Sequence, residues 1–232
     1  MRTDKLNELN KLIEKLTYKQ NKWSVLTDLF EISAIVISNK FDLVRFNERE
    51  KRYLDIVKKY DADEMQVMCE AFAKIYVLLT GMIDHGFDDY LGRLYMMSGT
   101  SSDKAGQFFT PYSVSQMCAQ VTLDKERLKM DEIIAMHEPT CGSGGMIIAV
   151  VEELHKRGFN YANNLFVECG DIDARCVHMA YLQLGLAGVP AVIYHRNSIT
   201  LETWDVWHTP ALCMNWLRFR KLVNSNEAKI LP

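Results

Sequence analysis

The chain lacks most of what marks a membrane, secreted or zinc-stapled protein. No apolar run reaches the ~18 residues that a bilayer-spanning helix needs. The opening Met1-Arg2-Thr3-Asp4-Lys5-Leu6-Asn7-Glu8 has no apolar leader core. A cytoplasmic protein with no membrane partner is therefore expected. Six cysteines, at 69, 118, 141, 169, 176 and 213, make no Cys-x-x-Cys pair, and no His stands at zinc-finger spacing. Reduced thiols, several of them buried, and no metal follow from that pattern. Basic excess is missing too: 27 Lys and Arg stand against 30 Asp and Glu, a net charge of −3. A domain that grips DNA unaided carries a basic stripe, so any work on DNA would need grip supplied by another protein. Prolines number only five, at 111, 139, 190, 210 and 232; no two are adjacent, and none follows Asn or Asp.

What is present is globular: 48% hydrophobic and 25% charged residues over a length of 232, enough for an α/β domain with a helical companion. The first hundred residues read as helices. Trp23 to Ile37 places Leu26, Leu29, Phe30, Ser33 and Ile37 on one face. Glu48 to Tyr60 carries only a narrow apolar stripe, as a solvated helix would. Asp63 to Leu79 repeats Met65, Met68, Phe72, Ile75, Tyr76 and Leu79 at helical spacing, a core stripe, and Gly81 is placed to stop it. Asp88 to Met97 is a further short helix, followed by the small-polar linker Ser98-Gly99-Thr100-Ser101-Ser102.

Beyond the linker the pattern changes to alternating strands and helices. Asp131 to Met136 reads as a strand and Met146 to Lys156 as a helix. Asn164 to Cys169 is a second strand, Ala174 to Leu186 a second helix, and Pro190 to His195 a third strand. That order implies right-handed crossovers and a parallel sheet. The last thirty residues show no clear strand, and Arg218 to Pro232 reads as a polar tail. The expected division is a helical part at 1–100, an α/β part at 101–217 and a tail at 218–232.

Between the first strand and its helix stands Glu138-Pro139-Thr140-Cys141-Gly142-Ser143-Gly144-Gly145. A strand, a small-residue turn and a helix N-terminus bring backbone N–H groups to a ligand's polar edge. Glycine lets the chain approach that ligand without a Cβ in the way. The dinucleotide fingerprint fails, because Ile147 stands where its third glycine belongs, and no Gly-Lys-Ser/Thr ending marks a P-loop. Cofactor chemistry collects at the carboxyl ends of parallel strands, and three further signals fall there. Asp171, after the second strand, suits the two hydroxyls of a ribose, while Asp173 suits the N-cap of the following helix. Asn197, after the third strand, suits an adenine edge or an ordinary turn. Phe108-Phe109-Thr110-Pro111 suits a ligand, or a clasp between the helical part and the sheet.

From about Tyr90 to Ser198 the sequence resembles the methylation subunit of type I restriction–modification systems, within the adenine-N6 DNA methyltransferases. Gly106-Gln107-Phe108-Phe109-Thr110-Pro111 matches that family's Gly-Gln-Phe-Phe-Thr-Pro motif. Glu138 to Gly145 matches its Asp/Glu-Pro-x-Cys-Gly-Ser-Gly turn, and Gly170-Asp171-Ile172-Asp173 and Asn197-Ser198 fall where it carries a ribose-binding acid and a polar turn. The resemblance implies a Rossmann-like S-adenosylmethionine domain behind a helical domain, adenine in DNA as acceptor, and a separate specificity subunit that reads sequence. It assigns Phe109, Thr110, Pro111, Glu138, Pro139, Thr140, Cys141, Gly142, Ser143, Gly144, Asp171, Ile172 and Asn197 to the cofactor. It leaves the oligomeric state open, a homo-oligomer included.

One departure is large. The family's Asn/Asp-Pro-Pro-Tyr/Phe motif, which receives the flipped adenine, has no counterpart. Where it should fall, the chain reads Trp204-Asp205-Val206-Trp207-His208-Thr209-Pro210. No catalytic residue can be assigned, and the methyltransferase core is expected to be incomplete. The readings are a cofactor-binding protein impaired on its own, an active or split enzyme completed by a partner, and an assembly protein with a vestigial pocket.

Overall fold

A computed structural model describes residues 2–97, 108–123, 128–129 and 132–227. The linker at 98–102, Gly106 and Gln107 of the aromatic motif, and Asp131 lie outside the described residues.

The helical part is built on α1 (Arg2–Leu16), α2 (Lys22–Ser38), α3 (Phe46–Val57) and α4 (Ala62–Thr80). Leu6, Leu9, Ile13 and Leu16 repeat at three and four residues, and all are buried where α1 lies on α4. The whole predicted face of α2 is buried, together with Val25, Ile32, Ala34 and Ile35, because α2 sits between α3 and a helix of the sheet layer. Local signals start these helices. Asn21 Oδ1 accepts from Ser24 N at 2.8 Å, and Asp61 and Glu64 form a reciprocal capping box on α4. The short α5 (Met82–His85) and then α6 (Tyr90–Met97) lead toward the sheet.

After α7 (Tyr112–Thr122) come β1 (Ile134–Glu138), α8 (Gly145–Lys156), the single turn α9 (Tyr161–Asn164), β2 (Leu165–Asp171), α10 (Ala174–Leu186) and β3 (Ala191–Arg196). The three strands are parallel in the order β1-β2-β3, with Glu138 opposite Cys169 and Cys169 opposite Ile193. Leu165, Val167, Ala191 and Ile193 point to α8 and α10, in the same apolar cluster as α1, α2 and α4.

Two expectations are corrected. The chain does form a fourth strand, β4 (Thr203–His208), antiparallel to β3. Its pattern was hidden because Asp205 shares the core-side register with Trp207. That carboxylate sits 3.7 Å from the buried Arg49 guanidinium, which also stacks 3.8 Å from the Trp207 ring centroid and donates to Val206 O at 2.8 Å. The expected polar tail is, through Glu227, the helix α12 (Trp216–Glu227), reached by way of α11 (Pro210–Met214). Phe219 and Val223, four residues apart, are buried on the second face of the sheet against Phe166, Val192, Tyr194 and Leu212. No helix among the described residues is long and apolar enough to cross a membrane.

Candidate ligand-binding cleft

The carboxyl ends of β1 and β2 open into a cleft of about 480 Å³, within the range of small-molecule sites. The turn between β1 and α8 forms its floor. Gly142 has φ +54° and Gly144 φ +93°, a region closed to most side chains. At Gly142 space matters as well, since a Cβ would meet the Phe109 ring at 3.1 Å. The turn is pinned to β2: Cys141 N donates to Gly170 O at 2.9 Å, and Gly142 N to Asp171 Oδ2 at 2.9 Å. No side chain caps α8, so its first turn presents backbone donors at the turn.

Asp171 reaches the cleft with both oxygens engaged, Oδ1 accepting from Asp173 N at 2.9 Å. Burial raises its pKa, against the pull of the backbone hydrogen bonds from Asp173 and Gly142. Asp173 is the N-cap of α10, accepting from Arg175 N at 2.9 Å, and it pairs with the Arg175 guanidinium. That guanidinium donates to Tyr95 Oη at 2.7 Å and lies 4.6 Å from the Trp23 ring centroid.

Of the residues assigned from sequence, Phe109, Thr110, Glu138, Thr140, Cys141, Gly142, Ser143 and Asp171 line the cleft. Pro111 caps α7, Pro139 O accepts from Ser198 Oγ, and Gly144 caps α8; all three shape elements around the cleft without lining it. Ile172 stands 59% exposed beside it. Asn197 is not among the lining residues. Its Oδ1 accepts from Ile199 N at 2.9 Å and Thr200 N at 3.2 Å, which is the turn use of asparagine. Phe109 serves as clasp and lining together, packing 5.6 Å from the Tyr95 ring.

Asp89, Ser115 and Cys176 line the cleft without a motif signal. Asp89, just before α6, is buried. Its Oδ2 accepts from Ser143 Oγ at 2.6 Å, and its Oδ1 from Gln183 Nε2 at 2.8 Å and Gly92 N at 3.0 Å. Gln183 also donates to Ser143 O at 2.7 Å, so α6, α10 and the turn share one network. A Cβ on Gly92 or Gly145 would come within 2.1 or 2.8 Å of the Asp89 carboxylate. Burial raises the Asp89 pKa, opposed by the hydrogen bonds from Ser143, Gln183 and Gly92. Ser115, on α7, is completely buried, and its Oγ has no hydrogen-bond partner, a costly arrangement for a hydroxyl beside a cleft unless a ligand completes it.

The electrostatics narrow the chemistry. Asp89, Glu138 and Asp171 line the cleft, and no Lys, Arg or His is among its described lining residues. Such a cleft favours a cationic ligand over a phosphate. The cleft thiols are held in the protonated form: a hydrogen bond to Cys169, then burial, holds Cys141 well above the ordinary thiol range, and burial pushes Cys176 up as well. Among the described residues no three His, Cys, Asp or Glu are grouped to hold a metal.

Residues 86–214 match the sequence model of a family described as N-6 DNA Methylase. Similar proteins include the type I restriction enzyme MjaIX methylase subunit of Methanocaldococcus jannaschii, 26% identical over 132 residues, covering 53% of this chain and 22% of that protein. The MpnII methylase subunit of Mycoplasma pneumoniae is 21% identical over 123 residues, with 53% and 22% covered. The matched part is thus about a fifth of either relative. Among solved structures, a class I S-adenosylmethionine-dependent methyltransferase of Listeria monocytogenes aligns with a TM-score of 0.49 at 13% identity, covering 84% of this chain and 54% of that one. A type I restriction–modification methyltransferase subunit of Streptococcus thermophilus aligns with 0.45 at 14% identity, covering 88% and 59%.

Proposed function

The chain belongs to the N-6 DNA methylase family, and from that premise we propose that it holds S-adenosylmethionine in the cleft between the turn at 138–145 and Phe109-Thr110. The observation that carries the reading is the cleft itself: a turn whose Gly142 and Gly144 have positive φ, with a Cβ at Gly142 pressing on Phe109, three carboxylates with no cation among the described lining residues, and the orphaned Ser115 hydroxyl. These features suit a nucleoside that bears a sulfonium and an ammonium group. When bound, that cofactor supplies an electrophilic methyl group. The protein's share is binding and orientation. The uncapped N-terminus of α8 meets polar atoms of the ligand, and Asp171 takes the ribose hydroxyls in this reading. Phe109 closes the cleft over Gly142.

The proposal has a second part. These residues alone do not carry methyl transfer to adenine. No Pro-Pro pair exists in the sequence, and the stretch that would carry the acceptor motif is committed to structure. It forms β4, and the Thr209 hydroxyl donates to Val189 O at 2.7 Å and accepts from Ala191 N at 2.9 Å. The base-receiving groups then come from polypeptide beyond these 232 residues. DNA is reached through a specificity subunit or another protein partner, in keeping with the net charge of −3.

Calorimetric titration of the purified chain with S-adenosylmethionine tests the first part, with saturable 1:1 binding expected. Absence of heat and of thermal stabilisation at millimolar ligand would refute it.

A further inference from the structure

The cofactor reading leaves two lining groups without a task, and they lie on elements that the motifs do not include. Asp89 is a buried carboxylate beside a cleft with no cation among its described lining residues. Its Oδ2 has one protein partner, Ser143 Oγ, and an ionised carboxylate oxygen accepts more than one hydrogen bond. Building the site around an alanine or a leucine at this position would have been easier, since a buried charge without a counter-charge is costly. Instead Gly92 and Gly145 both leave room for the carboxylate. Ser115 is the independent observation. It comes from another helix, is 0% exposed, lines the same cleft, and has a hydroxyl without a hydrogen-bond partner.

A buried carboxyl group and an orphaned hydroxyl lining one cavity fit a group that is both cationic and rich in donors. A sulfonium has charge but no N–H. A primary ammonium has three N–H donors. We propose that Asp89 and Ser115 form the subsite for the ligand's primary ammonium, Asp89 Oδ2 and Ser115 Oγ each accepting one N–H. This rests on the cofactor reading above and adds to it which residues select the amino-acid end. It also gives the helical part a share in ligand selection, because Asp89 precedes α6.

The test uses two neutral-sulfur probes, S-adenosylhomocysteine, which has the ammonium, and 5′-methylthioadenosine, which lacks the amino-acid end. Each is titrated calorimetrically into wild type, Asp89→Asn and Ser115→Ala. Asparagine preserves the shape of Asp89 and an acceptor oxygen, and Ser115→Ala removes a hydroxyl that no protein group uses. Charge-assisted hydrogen bonds are the strong ones, so Asp89→Asn should weaken S-adenosylhomocysteine about tenfold or more. Ser115→Ala should weaken it roughly threefold to tenfold. Binding of 5′-methylthioadenosine should stay within about twofold in both variants. Equal weakening of both probes would mean a structural role and overturn the subsite while leaving the cofactor reading intact. So would unchanged S-adenosylhomocysteine affinity in both variants. If the wild type binds neither probe nor S-adenosylmethionine, the cofactor reading fails and the subsite fails with it.

Discussion

At the scale of single residues, Gly142 is the most constrained position in the cleft. Its φ of +54° already disfavours a side chain, and a Cβ would press on the Phe109 ring at 3.1 Å. Valine adds two methyl groups to that crowding and is β-branched, the worst case for a positive φ. Gly142→Val should therefore lose S-adenosylmethionine binding by calorimetry, and unchanged affinity would refute the assigned cradle. His178 makes a different prediction, about pH. It is buried edge-on to Trp207 with ring centroids 5.1 Å apart. Burial, then the charges of His195, Arg49 and Arg52, lower its pKa to about 4, with Glu31 opposing. A folded pKa below the unfolded value contributes stability that is present above about pH 6.5 and is lost as pH falls through about 4. The loss is at most roughly 3 kcal/mol. Urea unfolding of wild type and His178→Phe across pH 7 to 4 should show the wild type losing more stability. Parallel curves would exclude His178 as a source of acid sensitivity.

At the scale of elements, α12 closes the second face of the sheet with very little apolar surface. Phe219 is fully buried, and its ring stacks on Phe166 at 6.0 Å. Phe219→Ala should destabilise the fold by about 3–5 kcal/mol, measured by chemical denaturation. A change under about 1 kcal/mol would mean that α12 is loosely docked. The same helix shows why sequence reading stopped where it did. With Phe219, Leu222 and Val223 set among Arg218, Arg220 and Lys221, its apolar stripe is too narrow to announce burial. The β4 pattern was obscured by Asp205, a charge that sits beside the core only because Arg49 arrives from α3, far off in the chain. By contrast the β1–α8 turn, the parallel strands and the Asp173 cap rest on neighbouring residues, and those were legible. Asp89 was not. Locally it resembles a cap acid, accepting from Gly92 N three residues on, and only the approach of Ser143, 54 residues away, gives it another role.

At the scale of the whole molecule, the sheet separates the cleft from β4. The cleft opens at the ends of β1 and β2, whereas the stretch expected to receive the base is β4, at the far edge beside β3. Among the described residues β1 pairs with β2 alone. The proposed cofactor cleft and β4 therefore lie apart, and positioning of both reactants is most of what a transfer enzyme supplies. The charge distribution points the same way: an acidic cleft repels a phosphate backbone unless another surface supplies the attraction. Purified chain incubated with mixed-sequence DNA and S-adenosylmethionine carrying a labelled methyl group should leave adenine unlabelled, even at low salt, while the cofactor still binds. Adding a polypeptide that contains an Asn-Pro-Pro-Tyr/Phe strand and a sequence-reading subunit should restore labelling. Labelled N6-methyladenine from the chain alone would show that the base is received elsewhere on this fold, and β4 with its Trp204 and His208 would be the place to look first.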